Sequence, residues 1–125
     1  MRYDVWFILI ALVYLMAGEA FGEYMAASQD HSLFPAHAHL NVLGWVSLAI
    51  FGVVHHIFPQ MGTSRLAVWQ FAIAVASVPV MTFGVAYVLL TQQPLFAIVG
   101  SFAFDIATVL FVIMFVMRVV QVREI

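Results

Sequence analysis

The chain has 125 residues, of which 66% are hydrophobic and only 8% are charged. A soluble domain carries about a quarter charged residues, so this composition excludes an ordinary soluble fold and predicts an integral membrane protein surrounded by lipid. The absence of cysteine excludes disulfide scaffolds, cysteine zinc sites and thiolate catalysis, and the sparse charge, with a net value of -2, argues against nucleic acid as a partner.

Four apolar stretches are long enough to span a bilayer, because a hydrocarbon core of about 30 Å needs roughly 20 helical residues. In chain order the predicted helices cover residues 4–23, 36–58, 66–90 and 95–118. A polar segment precedes each of the last three helices, and each of these segments contains a proline or ends in one. The first stretch lacks a small-residue cleavage site, so we interpret it as a retained helix rather than a signal peptide. The sequence therefore predicts one all-α domain over residues 1–125, an integral membrane four-helix bundle.

The arginines indicate the orientation of this bundle. If the helices alternate in direction, all four fall on one side: Arg2, Arg65, Arg118 and Arg123. Glu19, Glu23 and Asp30 fall on the other side. The positive-inside rule then places both termini in the cytoplasm and the protein in the inner membrane as a multi-pass protein. The second helix runs inward, with one histidine pair at each of its ends.

Several polar residues have a plain structural interpretation beside a functional one. His31, His55 and His56 lie near helix ends, where histidine often does no more than reach water. Glu19 and Glu23 lie one turn apart on the first helix. They form its hydrated end, or they supply ligands to a second metal ion.

Asp105 stands about ten residues into the fourth helix. A carboxylate at that depth costs several kcal/mol unless it is neutral or paired. The structural expectation is a protonated side chain that bonds within the bundle to Ser101 or Thr108. The alternative is a functional role that the sequence does not specify.

His37 and His39 begin the second helix at its predicted outer end. At about 100° per residue the two side chains point roughly 200° apart, so they cannot both bind one metal ion from a regular helix. They can serve two sites on opposite flanks. Since imidazole is the usual protein ligand of haem iron, this spacing admits haem as the cofactor.

The wider stretch HAHLNVLGWVSLAIFGVVHHIFP, residues 37–59, resembles the tenth transmembrane helix of the catalytic subunit of haem-copper oxidases. The likeness is closest to the C-family pattern H-x-H, L-G-W, F-G and Pro, which fits without a gap. The matching residues are His37, His39, Leu43, Gly44, Trp45, Phe51, Gly52 and Pro59. In that family the first histidine binds the high-spin haem of the oxygen-reducing site and the second binds the low-spin, bis-histidine haem.

The resemblance covers 23 of the 125 residues. This chain has four predicted helices, whereas the oxidase subunit has twelve, arranged as three four-helix arcs. The resemblance implies that one chain corresponds to one third of that subunit and that a homotrimer rebuilds the whole. Each interface would then hold a haem b between His37 of one chain and His39 of the next. A twofold dimer that pairs His39 with His39 is the alternative. Small residues are expected to permit close helix approach: Gly44, Ser47, Gly52, Gly84 and Gly100.

The ligand set does not support copper, which needs three more histidines at the depth of the haem. His55 and His56 lie roughly 25 Å away at 1.5 Å per residue, near the opposite membrane face. The motif C-x-x-C-H is absent, so haem would be held without covalent attachment.

The leading functional hypothesis is a one-electron b-type cytochrome, with a quinone or a periplasmic cytochrome as its redox partner. One alternative is an oxygen or nitric oxide reductase with haem and a second metal ion bound by Glu19 or Glu23. The other alternative is a haem sensor, storage or transfer protein.

Overall fold

The computed structural model describes residues 1–121, so Arg123, one of the arginines used for the orientation, lies outside the described residues. Four helices contain nearly all of the described chain, which has no strand. They are α1 (Tyr3–Ser28), α2 (Phe34–Ile57), α3 (Leu66–Thr91) and α4 (Leu95–Val120). Each is long and apolar enough to cross a membrane, which confirms the predicted all-helical, multi-pass class.

The helix ends differ most from the prediction in α1, which continues to Ser28 rather than ending near residue 23. The segment EYMAAS contains good helix formers, and polar residues at a hydrated helix end do not oppose helix formation. The helix ends at Gln29, whose φ of 57° is left-handed. A short 3₁₀ turn over Pro59–Thr63 links α2 to α3.

The second helix changes its winding immediately after His39. Its first part, Phe34–His39, and its last part, Leu48–Ile57, are α-helical, but Leu40–Ser47 forms a π-helix. The Ser47 hydroxyl donates to the carbonyl oxygen of Val42, five residues earlier, at 2.9 Å. Because π-helical segments are rare and often lie at functional sites, this one draws attention to the histidine pair beside it.

The helices pack as two antiparallel hairpins, α1 with α2 and α3 with α4, which meet mainly through α2 and α3. Large apolar side chains from all four helices fill the centre. The buried core includes Phe7, Ala11, Leu48, Phe51, Val78 and Phe104. This packing fixes the direction of α2 relative to α1 and so places the candidate site residues.

Close contacts between helices occur at glycine, as the sequence predicts. A Cβ atom at Gly84 would collide with the backbone of Ala97, and one at Gly100 would come within 2.6 Å of the backbone of Met81. Four of the five predicted small residues are buried inside the chain: Gly44, Gly52, Gly84 and Gly100. They serve packing within one subunit, so the expectation that they lie on faces between subunits is wrong for these four.

A proline interrupts the hydrogen bonding of α3. Pro79 has no N–H, so the carbonyl oxygen of Val75, four residues earlier, lacks its usual helical donor. The hydroxyl of Tyr14 on α1 donates to this oxygen at 2.8 Å. One helix therefore supplies the hydrogen bond that another has lost.

Candidate functional site

The ring of His39 is oriented by a backbone carbonyl on its own helix. Nδ1 lies 2.7 Å from the carbonyl oxygen of Pro35. That oxygen can only accept, so Nδ1 donates to it, and in the neutral ring Nε2 then has a free lone pair. No hydrogen bond to Nε2 occurs within residues 1–121. A metal-binding histidine commonly has this arrangement, with one nitrogen held by a carbonyl and the other available.

The partly exposed His39 lines a shallow cleft of about 260 Å³ on the surface of the chain. The other lining residues are Ala38, Val42 and Leu43. The cleft is mostly apolar and presents one imidazole, which suits one face of a flat, apolar macrocycle. The cleft is open to the surroundings, so one chain alone would leave a ligand at His39 partly exposed.

His37 lies on the other flank, against α1. A Cβ atom at Gly22 would come within 3.1 Å of the His37 Cε1 atom, so the ring fits there because glycine has no side chain. The ring of Phe21 meets it edge to face at 5.8 Å, and Phe34 lies 6.2 Å away between ring centroids. His37 therefore occupies a half-buried aromatic niche at the end of the α1–α2 hairpin.

Asn41 stands one turn below His37 and faces the same niche. Its Nδ2 donates to the His37 carbonyl oxygen at 2.9 Å and lies 3.3 Å from Nδ1 of the ring. The side chain fits because Gly18 leaves room for it on α1. Asn41 was not predicted from the sequence. The spacing of Gly18 and Gly22, one turn apart on α1, was the signal that two larger groups pack there.

The two histidines thus face different surroundings, one against α1 and the other an open cleft. This agrees with the angular separation expected from helix geometry. Within one chain, the His37 ring is packed against α1 and the His39 ring lies at the cleft. One chain therefore does not bring His37 and His39 to opposite sides of one iron atom.

The other acidic candidates are not assembled with the histidines. Glu19, Glu23 and Asp105 are exposed on the isolated chain and make no hydrogen bond or ion pair with the described residues. The expected bond from Asp105 to Ser101 or Thr108 is absent from the structure of residues 1–121. Thr108 instead donates to the Phe104 carbonyl oxygen at 3.0 Å, as hydroxyls within apolar helices often do.

His55 does not reach water, contrary to the plain interpretation of a histidine near a helix end. It is 3% exposed and packs against the rings of Tyr3, Phe7 and Phe111. Its Nε2 lies 3.3 Å from Oε1 of Gln70, which is completely buried. The second nitrogen of each side chain, Nδ1 of His55 and Nε2 of Gln70, has no partner among the described residues.

His56 is exposed at the same end, as expected. Its Nδ1 lies 3.1 Å from Oδ2 of Asp4, which also accepts a bond from Arg2 at 2.9 Å. The hydrogen bond and the negative charge of Asp4 raise the pKa of the Arg2 guanidinium above its ordinary value. Arg2, Asp4 and His56 form a connected polar group at the predicted cytoplasmic face.

Within residues 1–121, no group of three or more histidine, aspartate or glutamate side chains lies close enough to hold a metal ion. Comparison of the chain with protein-family models, curated proteins and solved structures finds no match.

Proposed function

We propose that this protein is a membrane-bound b-type cytochrome, in which His37 and His39 of neighbouring chains bind haem iron and the haem carries single electrons. The proposal combines the H-x-H resemblance with the surroundings of the two rings. When bound, haem would supply a one-electron iron couple, and His37 and His39 would be the residues that hold its iron.

The observation that carries this proposal is the hydrogen bond between His39 Nδ1 and the Pro35 carbonyl oxygen. It holds the ring in one orientation and, in the neutral imidazole, leaves Nε2 as the nitrogen that can bind a metal ion. A histidine that served only to reach water would need neither feature. The cleft that His39 lines is mostly apolar, as a haem ring requires.

A second chain is needed to complete the coordination, because His37 and His39 lie on different flanks of α2. A closed ring of three chains provides one pair at each interface, and a head-to-tail contact leads naturally to such a ring. We propose this homotrimer in the inner membrane with both termini in the cytoplasm. A quinone or a periplasmic cytochrome would exchange electrons with the haem.

The experiment is an optical spectrum of the protein purified with haem, before and after exposure to carbon monoxide. A bis-histidine haem gives a low-spin spectrum that carbon monoxide does not change. A spectrum that shifts with carbon monoxide would show an open iron position and favour an oxygen or nitric oxide reductase. A protein that binds and releases haem without cycling between oxidation states would instead favour haem transfer, storage or sensing.

Substitution of the ligands tests the assignment residue by residue. His37→Ala and His39→Ala should each abolish the low-spin spectrum, because each removes one axial ligand from every interface. His31→Ala removes an exposed histidine near the same membrane face and should leave the spectrum unchanged. A normal low-spin spectrum in either of the first two variants would contradict the assignment.

A further inference from the structure

The outward side of α4 contains a seam of residues that no other part of the described chain covers. The residues of this α4 seam follow one another at alternating intervals of four and three: Ile98, Phe102, Asp105, Val109, Val112 and Val116. The apolar members are between 41% and 65% exposed. The buried residues of α4 include Phe104, Ala107 and Met114, and at about 100° per residue the seam lies nearly opposite to them.

The spacing of the α4 seam is typical of helices that pack side by side. Apolar residues that repeat every 3.5 residues on average form a contact line between two or more parallel helices. Most pairs of membrane helices cross at the shallow angle that such a repeat produces. The other exposed side chains of α4 are almost all apolar too, so Asp105 is what distinguishes the seam from ordinary lipid-facing surface.

Asp105 lies near the middle of the membrane in the predicted orientation. It stands ten residues after Leu95, the start of α4, which is about 15 Å at 1.5 Å per residue and half of a hydrocarbon core of about 30 Å. It makes no hydrogen bond or ion pair with the described residues. A carboxyl group in hydrocarbon is costly unless it is neutral and hydrogen-bonded, so the α4 seam is incomplete on a single chain.

A neighbouring copy offers Asp105 no arginine at this depth. Within residues 1–121 the arginines lie at helix ends, since Arg2 and Arg65 directly precede α1 and α3, and Arg118 is in the last turn of α4. Arg118 is 13 residues from Asp105, about 20 Å along the helix. Pairing with arginine therefore cannot stabilise the carboxyl group, and a hydrogen bond to another polar group is needed.

The Asp105 side chain of another copy is a polar group at the right depth. Copies that insert in the same orientation have equivalent residues at equal depth, and a closed assembly of such copies has its symmetry axis along the membrane normal. A neutral carboxyl group has an O–H donor and a carbonyl acceptor. Carboxyl groups that meet at the axis can therefore donate to one another, in a pair or in a ring of three.

We propose that the α4 seam packs against the same seam of neighbouring copies at the symmetry axis, where the Asp105 carboxyl groups hydrogen-bond to one another. A single polar residue in a helix seam fixes the register of the partners, because a shift leaves it unpaired. The contact goes beyond the proposed cytochrome, since the seam shares no residue with the cleft beside His39 and needs no haem.

A single introduced cysteine tests whether the seam lies at the axis. The chain has no cysteine of its own, and a disulfide requires two Cα atoms within about 7 Å of each other. Equivalent residues of two copies come that close only near a symmetry axis. Val109, 56% exposed, lies one turn after Asp105, and Val13 on α1, 57% exposed, is the matched control. At low protein density in phosphatidylcholine vesicles, oxidation with copper phenanthroline should convert most of Val109→Cys to a covalent dimer and leave Val13→Cys mostly monomeric.

The carboxyl group is tested in the Val109→Cys background. Asp105→Leu should slow the cross-linking about fivefold, as the loss of one hydrogen bond between membrane helices predicts. Asp105→Asn should cross-link at the original rate, because an amide also donates and accepts. Since Asp105 has no hydrogen-bond partner among the described residues of its own chain, both variants should keep the helix content of the parent, which establishes that they are folded.

Two results would overturn the proposal. One is equal cross-linking of Val109→Cys and Val13→Cys, which indicates random collision. The other is an equal effect of Asp105→Asn and Asp105→Leu, which indicates that the carboxyl groups do not pair. The haem spectrum of the same samples tests the cytochrome separately. A low-spin spectrum without the Val109 disulfide contradicts only the seam contact, whereas the disulfide without a haem spectrum contradicts only the cytochrome.

Discussion

Polar side chains in the membrane-spanning helices differ in how many of their atoms have a hydrogen-bond partner. His39 has one nitrogen paired and one free at an open surface, whereas His55 has its free nitrogen inside the chain. Asp105 has no partner at all among the described residues. Unpaired polar groups in an apolar setting are costly, so such residues mark places where a ligand or another chain completes the structure.

The buried contact between His55 and Gln70 makes a prediction about stability. Gln70→Leu leaves the His55 Nε2 proton without an acceptor but also removes the unpaired Gln70 Nε2, so it should lower the free energy of unfolding by only about 1 kcal/mol. Adding His55→Phe to that variant removes the unpaired group and should recover most of the loss. Unfolding in increasing concentrations of dodecyl sulfate measures both changes. If the double variant is less stable than Gln70→Leu alone, the polar contact does not carry the effect.

The sequence predicted the histidine pair but not what surrounds each ring. The spacing of His37 and His39 along one helix fixes their relative direction whatever the rest of the fold does. The surroundings of His37 depend on which face of α1 packs against it. The residue pattern of α2 does not determine that face. Gln70 looks unremarkable in the sequence and is buried only because α3 turns that face toward His55.

At the scale of the helix, hydropathy was a sufficient guide to the existence of all four spans. It did not show where a helix changes its winding, because Leu40–Ser47 lies within one continuous apolar span. Nor did it show how α3 accommodates Pro79. Proline inside a membrane helix was visible in the sequence, but the donor that compensates for it comes from α1.

This compensation makes a prediction about two helices at once. Tyr14→Phe should lower the free energy of unfolding by about 1–3 kcal/mol, because the Val75 carbonyl oxygen then lacks a donor in an apolar setting. With Pro79→Ala, residue 79 regains an N–H that can bond to Val75 within the helix. In the Pro79→Ala variant, Tyr14→Phe should therefore lower the free energy of unfolding much less. Dodecyl sulfate unfolding of the unmodified protein, the two single variants and the double variant gives the coupling energy between Tyr14 and Pro79. If Tyr14→Phe lowers the free energy of unfolding equally with and without Pro79, the bond to Val75 is unimportant.

For the whole molecule, the surface of one chain is incomplete in two respects. The cleft beside His39 is open, and the exposed Asp105 lies about halfway along α4. Both features favour an assembly that covers them. The buried glycines do not add to that argument, because they are used within the chain.

The oligomeric state is therefore a prediction of its own. Native mass spectrometry in mild detergent should find three chains with about three haems, the stoichiometry of a closed ring with one haem at each interface. His39→Ala should reduce the haem content of the particles. Two chains with one haem would refute the ring and support the alternative dimer, in which His39 pairs with His39.

The bond from Tyr14 to Val75 also has a consequence for how the protein is made. Translation delivers α1 to the membrane before α3, so the hydroxyl that α3 needs is already in place when Pro79 enters the bilayer. A rearranged gene that encoded α1 last would release α3 into lipid with an unpaired carbonyl oxygen until synthesis ended. The order of the helices along the chain thus suits insertion as well as the final packing.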